Sequence, residues 1–360
     1  MITILTPSFP PISEFGGPNK SLAGVCNLFE NSEIPYRVIA QSKRKTQEPI
    51  PNVNPNIRFK DRIRVGELIG EFKEAEVIWI NTLYNYSFSM LPLLALFFTP
   101  KRKVLISPRG ELLKGALNLK KYIYLRFFKW GLQLAGHEYF VHYANPYEAE
   151  KSYGILKKYP KLIFNNVISG AISNEEHTGS IDDKFVLGYF GRVSPIKNVE
   201  FLLELLLSLP DKVVLQIHGS IIESRYVGNL RQQVEKLGLS DRVAFFDSYN
   251  SANFAERAAG VDVVLIPSKS ESFCHVFFEA IESRKLVLAS TGLPWTPANE
   301  LVPSTLLDLE VELWKDRILE LMQYDEPTYR EQQNKLVDYY NSVFNTTNAD
   351  TLKGINKILQ

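Results

Sequence analysis

Two glutamates eight positions apart, Glu271 and Glu279, lie where an apolar run gives way to a helical pattern. The stretch runs from Pro267-Ser268 through Phe273-Cys274-His275-Val276 to Ala280. Its loop leaves the carboxyl end of a strand and opens a helix, whose first amides are unpaired and lie at the positive end of the helix dipole. Such an end suits a diphosphate. Carboxylates accept hydrogen bonds from pairs of hydroxyls, so one glutamate can hold a sugar and the other a ribose. Taken alone, the pair also reads as a loop acid and an exposed helix acid.

A second stretch, Gly188-Tyr189-Phe190-Gly191-Arg192 to Lys197-Asn198, lies at another strand exit. Gly191 permits a close turn, and Arg192 and Lys197 flank the entrance to a helix. Two cations placed there can neutralise a diphosphate leaving group, the arginine as a fork and the lysine as a point charge. Two solvated surface cations are the plainer alternative. A third stretch, Glu14-Phe15-Gly16-Gly17-Pro18, follows the first strand. Its glycine pair allows close approach of backbone to ligand, or simply a structural turn.

The elements that must position these residues follow from periodicity. Ile2 to Leu5, Arg37 to Ala40, Val77 to Ile80, Val104 to Ile106 and Tyr139 to His142 read as strands, with helical stretches such as Asn19 to Phe29 between them. A polar, aperiodic segment follows. A second series then begins: strands at Phe185 to Phe190, Val213 to His218, Val243 to Phe246, Val261 to Pro267 and Leu286 to Ser290. The helices between them are Asn198 to Ser208, Ser224 to Leu237, Ser251 to Ala259 and Val276 to Arg284. This alternation predicts α/β architecture with two Rossmann-like doubly wound domains facing across a cleft, where ligands bind at the carboxyl ends of strands. The expected division is residues 1–170, a linker at 171–183, and 184–339. A C-terminal helix at about 340–360 is expected to pack back on the first domain.

The 360 residues agree with two domains at roughly 150 residues each. Hydrophobic residues make up 45% and charged residues 22%, which excludes a disordered chain. Lys plus Arg is 41 and Asp plus Glu is 40, so the net charge of +1 offers no global attraction to nucleic acid. Cys26 and Cys274 are the only cysteines and lack metal-ligand spacing. Met1 to Pro7 lacks the pattern of a signal peptide, and the apolar run Met90 to Phe98 falls short of the about 20 residues that span a bilayer. A cytoplasmic protein is expected.

Together, Glu271 with Glu279, Gly191-Arg192 with Lys197, and Gly16-Gly17 resemble the motifs of glycosyltransferase family 4, the retaining sugar-nucleotide transferases of GT-B fold. Gly219 and Val261-Asp262-Val263 add to the likeness. The resemblance implies a nucleoside-diphosphate sugar as donor substrate, UDP- or GDP-linked, with no further cofactor. Arg192 and Lys197 would bind the diphosphate, and Glu279 the ribose. Glu271 would bind the transferred sugar, helped by the amides around Phe273, Cys274, His275 and Val276. Gly16 and Gly17 would let the first domain close over the diphosphate. No carboxylate takes a covalent role, and with two cations at the diphosphate no metal ion is expected.

The chain departs from the family pattern at Ser107-Pro108-Arg109-Gly110-Glu111, where many relatives carry a histidine-glycine element. Arg109 is then expected to face the cleft as a catalytic group or to pin its loop. Asn81, Tyr84, Glu111 and His142 are candidates for the acceptor side. Base recognition near Phe246-Asp247-Ser248-Tyr249 would use backbone atoms. From Lys101 to Trp130 there are nine basic residues and one acid, Glu111. The segment from Lys120 to Trp130 interleaves cations with aromatics, as for peripheral contact with the inner membrane surface or for a helix with one packed face. The acceptor would be a glycan or a lipid-linked molecule in bacterial surface polysaccharide or glycolipid synthesis. A sugar-nucleotide 2-epimerase and a catalytically silent sugar-nucleotide-binding subunit are the alternatives. An oxidoreductase is disfavoured, because the glycines after the first strand do not form the dinucleotide fingerprint.

Overall fold

Continuous apolar runs bounded by turn residues become the inner strands of two parallel sheets, as expected for strands covered by helices on both faces. The computed structural model describes residues 1–10, 17–41, 54–113, 117–168, 172–173, 184–219, 224–249, 253–271 and 273–360. The chain divides into one unit of Met1–Ser169 with Asn345–Gln360 and another of Gly170–Phe344.

The first unit runs β1 (Ile2–Thr6), α1 (Gly17–Asn31), β2 (Tyr36–Gln41), β3 (Ile57–Lys60), α2 (Val65–Glu74), β4 (Val77–Ile80), α3 (Leu91–Leu96), β5 (Lys103–Ile106), α4 (Leu119–Ala135), β6 (Glu138–Tyr143), α5 (Pro146–Lys151) and β7 (Lys161–Ile163). Its sheet has the order β3-β2-β1-β4-β5-β6-β7, all parallel. Side chains alternate across it. Val77 and Trp79 enter the layer under α1, with Val25 and Phe29, while Ile78 and Ile80 enter the layer holding Phe72, Leu96 and Phe128.

The second unit runs β8 (Phe185–Phe190), α6 (Val199–Leu207), β9 (Val213–His218), α7 (Ser224–Lys236), β10 (Val243–Phe246), α8 (Phe254–Ala258), β11 (Val263–Ile266), α9 (His275–Glu282), β12 (Leu286–Ser290), β13 (Leu306–Leu307) and α10 (Val311–Leu321). Helix α11 (Glu326–Leu359) follows, and its Ile355 and Ile358 are buried with Phe164 in the first unit. The sheet order is β10-β9-β8-β11-β12-β13. In both sheets the first strand of the unit separates two oppositely wound halves, so the strand order reverses there.

Three strands have no counterpart in the periodicity: β3, β7 and β13. Each is an outermost strand of its sheet. β3 is half-exposed along its length, β7 has one buried residue, and β13 is two residues long, so none needs an apolar run. The linker expected at 171–183 lies outside the described residues except for 172–173. Ser173 is tied to the second unit: its N–H donates to the Glu282 carbonyl at 2.7 Å, and its carbonyl accepts from Arg284 Nε at 2.9 Å. The helix expected over Ser251 to Ala259 is described as Phe254–Ala258, with 250–252 outside the described residues.

The basic-aromatic segment forms α4. Asn118 caps it, its side chain accepting from the Lys121 N–H, and Gly136 ends it at φ 67°. Leu125, Phe128 and Leu132 are buried, each contributing about 1.5–3 kcal/mol before ordering costs. Helix α3 lies close enough that a Cβ on Gly131 would fall 2.7 Å from Leu93 Cδ2. Among the described residues, no helix is long and apolar enough to cross a membrane.

Candidate active site

Strands β8 and β11 are parallel neighbours, with Leu187 opposite Val263 and Tyr189 opposite Leu265. The loops that leave their carboxyl ends therefore emerge side by side, at the reversal of strand order where α/β sheets bind ligands. Lys197 stands on one loop and Glu271 on the other. Their side chains form an ion pair from Nζ to Oε1, with 23% and 13% of their surface exposed. Residues 74 positions apart in sequence are thus joined by one strand pairing.

Backbone contacts hold both loops. After β8 the chain turns at Gly191 with φ 152°, and Tyr189 donates its hydroxyl to the Arg192 carbonyl at 2.8 Å. The Gly191 N–H donates to the His218 carbonyl at 3.0 Å. Gly219 follows at the exit of β9, where a Cβ would collide with the Gly191 carbonyl oxygen. Arg192 is exposed, and Asn198 enters α6 at φ 57°. The second loop is fixed by the Lys269 N–H to the Ile196 carbonyl and the Glu271 N–H to the Gly292 carbonyl, both 2.9 Å. Trp295 Nε1 donates to the Phe273 carbonyl, and the two rings meet edge-to-face at 5.0 Å.

Cys274 precedes α9 with φ 69°, a left-handed conformation uncommon for residues with a side chain. Burial pushes its thiol up to about 12, and the negative charge of Glu271 adds to the shift. It is therefore a neutral packing group rather than a nucleophile. His275 and Val276, the first residues of α9, are half-buried. Glu279 lies a turn further on, 6% exposed, and the Tyr249 hydroxyl approaches its Oε2 at 3.4 Å. Burial, with Cys274 and Glu271 nearby, holds the Tyr249 hydroxyl well above its ordinary range. Lys197, Glu271, Cys274, Tyr249 and Glu279 are thus electrostatic or hydrogen-bonding neighbours in one cluster. His218 stacks between Phe190 and Phe246 at 4.6 and 4.5 Å. Burial and then Arg257 lower its pKa to about 4, so it is neutral at pH 7.

The first unit's candidates have other duties. Arg109, at φ 53°, donates from Nε to Asn81 Oδ1 and from Nη1 to Asn166 Oδ1, both at 2.7 Å. Burial lowers its pKa to about 10, partly countered by Glu148, so it stays charged at pH 7. It pins its loop. Asn81 is 4% exposed and its side-chain oxygen is committed to Arg109. Glu111 was expected beside the acceptor, but it accepts from the Leu83 N–H at 2.5 Å and the Thr82 hydroxyl at 3.2 Å. Burial raises its pKa against those hydrogen bonds. His142 is likewise held internally: it is 2% exposed, with Nδ1 2.8 Å from Ser107 Oγ and Nε2 3.0 Å from the Phe164 carbonyl oxygen. Burial and then Arg109 hold its pKa well below 6.5. Tyr84 is half-buried, with Lys121 Nζ 4.5 Å over its ring. Gly17 begins α1, and Gly16 lies outside the described residues.

Glu148 was not among the candidates. It is 3% exposed and accepts from the Gly110 N–H at 2.5 Å and the Ala144 N–H at 2.7 Å, joining two loops. The available signal was the spacing Asn145 to Glu148, a helix-entry pattern, and Asn145 does accept from the Glu148 N–H at 2.8 Å. Trp295 and Gly292 had no local signal, since each acts through a contact distant in sequence, with Phe273 and Glu271.

Residues 172–296 match the family described as Glycosyl transferases group 1. A D-inositol 3-phosphate glycosyltransferase of Mycobacteroides abscessus is 30% identical over 145 residues, 39% of this chain and 32% of that protein. The match thus spans about a third of the curated relative's length. Across 99% of both chains the fold is similar to that of Anabaena HepE crystallised with UDP and glucose, at TM-score 0.66 and 18% identity. A sucrose-phosphate synthase from Thermosynechococcus elongatus gives TM-score 0.69 at 15% identity, over 99% of this chain and 98% of that one. The fold is GT-B. The match to group 1 glycosyltransferases lies within the second unit and is consistent with the resemblance to glycosyltransferase family 4.

Proposed function

We propose that the protein is a retaining glycosyltransferase that moves a hexosyl group from a UDP- or GDP-sugar to a glycan or lipid-linked acceptor. The observation that carries this reading is the Lys197–Glu271 pair at the exits of β8 and β11, inside the segment that matches group 1 glycosyltransferases. The UDP and glucose in HepE support a UDP-sugar as donor.

In this reading Lys197 exchanges the Glu271 carboxylate for diphosphate oxygens, and Arg192 adds a guanidinium fork. Glu271, so released, accepts from sugar hydroxyls, while Glu279 accepts from the ribose. As the anomeric carbon–oxygen bond breaks, charge grows on the departing diphosphate. The two cations and the first amides of α9 are already in place to receive it, so the environment need not reorganise. The acceptor hydroxyl attacks the face the diphosphate leaves and passes its proton to the departing diphosphate oxygen, which retains configuration without a covalent intermediate. Two cations make a divalent ion dispensable. The cellular setting proposed is the cytoplasmic side of bacterial surface polysaccharide or glycolipid synthesis. Arg109 serves by holding Asn81 and Asn166.

Turnover of radiolabelled UDP- and GDP-sugars in EDTA tests the reading. Wild-type protein is expected to release nucleoside diphosphate and Lys197→Ala to lose about 10²–10³-fold, the scale for removing one charge-stabilising donor. Equal turnover by both would overturn it.

A further inference from the structure

Helix α4 is apolar on two faces. Leu125, Phe128 and Leu132 are buried in the first unit. On another side, Leu119, Ile123, Phe127, Trp130 and Leu134 recur at spacings of four and three, the repeat that lines up one helical face, and each is more than half exposed. Burial within the unit leaves this second stripe uncovered. A contiguous exposed apolar face of this kind marks an interaction site.

Charge identifies what covers it. The helix contains Lys120, Lys121, Arg126 and Lys129 and no acidic residue. A cavity of about 540 Å³ opens beside the stripe, lined by Arg126, Lys129, Trp130, Gln133 and Tyr153. Apolar side chains accompanied by the cations Lys120, Arg126 and Lys129 fit an interface whose interior is hydrocarbon and whose surface is negative. A second copy of the chain fits poorly, because two-fold pairing of this face would bring like charges together.

We propose that the exposed stripe of α4 docks on an anionic lipid bilayer, with Phe127 and Trp130 entering the acyl boundary and Arg126 and Lys129 meeting headgroup phosphates. None of these residues belongs to the donor cluster, so the proposal stands or falls independently of the glycosyltransferase reading.

The test is co-sedimentation of the full chain with vesicles of phosphatidylcholine alone or mixed with phosphatidylglycerol. Binding is expected only to the anionic mixture and should fall as salt rises. Trp130 is 61% exposed whereas Trp79, Trp295 and Trp314 are buried, so a blue shift of tryptophan emission reports the stripe itself. Phe127→Ser with Trp130→Ser should lower the binding constant by about tenfold or more, as should Lys120→Gln with Arg126→Gln and Lys129→Gln. Melting curves serve as the folding control, and the charge variant decides should the apolar one unfold. Wild-type protein that ignores anionic vesicles, binds both kinds equally, or binds as well after either substitution set would overturn the proposal. So would a dimer in solution that Trp130→Ser dissolves.

Discussion

The loops leaving β4 and β5 in the first unit and those leaving β8 and β11 in the second occupy comparable places at the carboxyl ends of parallel sheets. In the first unit the polar side chains singled out at these loops are largely committed internally. Arg109 holds two asparagine amides, Glu111 and Glu148 hold backbone N–H groups, and His142 bridges Ser107 and the Phe164 carbonyl. In the second unit the backbone secures the loops, through Gly191, Gly219 and Gly292, and the charged side chains have little structural duty. Lys197 and Glu271 form an ion pair with each other, and Arg192 is exposed. Polar groups that stabilise a fold and polar groups free to change partners can therefore be told apart by what they bind, even where residue types are the same.

Substitutions on the two sides should separate activity from stability. Lys197→Ala should show the largest effect, the loss of turnover given above. Its unfolding free energy should fall by less than that of Glu148→Gln, because Lys197 and Glu271 keep 23% and 13% of their surface exposed and the unpaired carboxylate retains access to water. Glu148→Gln should do the opposite. An amide cannot accept from both Gly110 and Ala144 without turning its NH₂ toward one of them, so a loss of about 1.5–3 kcal/mol is expected in chemical denaturation. An unchanged midpoint for Glu148→Gln would erase the contrast.

A smaller effect should come from pH. Folded His218 titrates at about 4 and the unfolded residue near 6.5. Between those values the unfolded chain holds the extra proton, so this contribution is complete above about pH 6.5 and is lost as pH falls toward 4. The slope is at most about 1.4 kcal/mol per pH unit for one group. Denaturation of wild type and His218→Gln across that window measures it. Parallel curves would show that the buried ring is not the source.

The inner strands were legible because burial on both faces demands unbroken apolar runs, as in Val77–Ile80 and Val263–Ile266. The edge strands β3, β7 and β13 were not, since a half-solvated edge imposes no such pattern. In the second unit, spacing singled out Lys197 and Glu271 because each stands at a strand exit before a helix. In the first unit, the same reasoning picked Asn81, Glu111 and His142 without their partners. Their partners, Arg109, the Leu83 N–H and Ser107 respectively, come near only through the pairing of β4, β5 and β6. The two faces of α4 were mixed in one basic-aromatic run, and burial alone divides them.

The second unit's claim to bind a pyrophosphate is most directly tested by thermal-shift titration with UDP and GDP in EDTA. A ligand that binds only folded protein raises the melting temperature in proportion to the logarithm of its concentration above the dissociation constant. One of the two nucleotides should raise it for wild-type protein and leave Arg192→Ala with Lys197→Ala unmoved. Equal shifts for the two proteins would contradict the account.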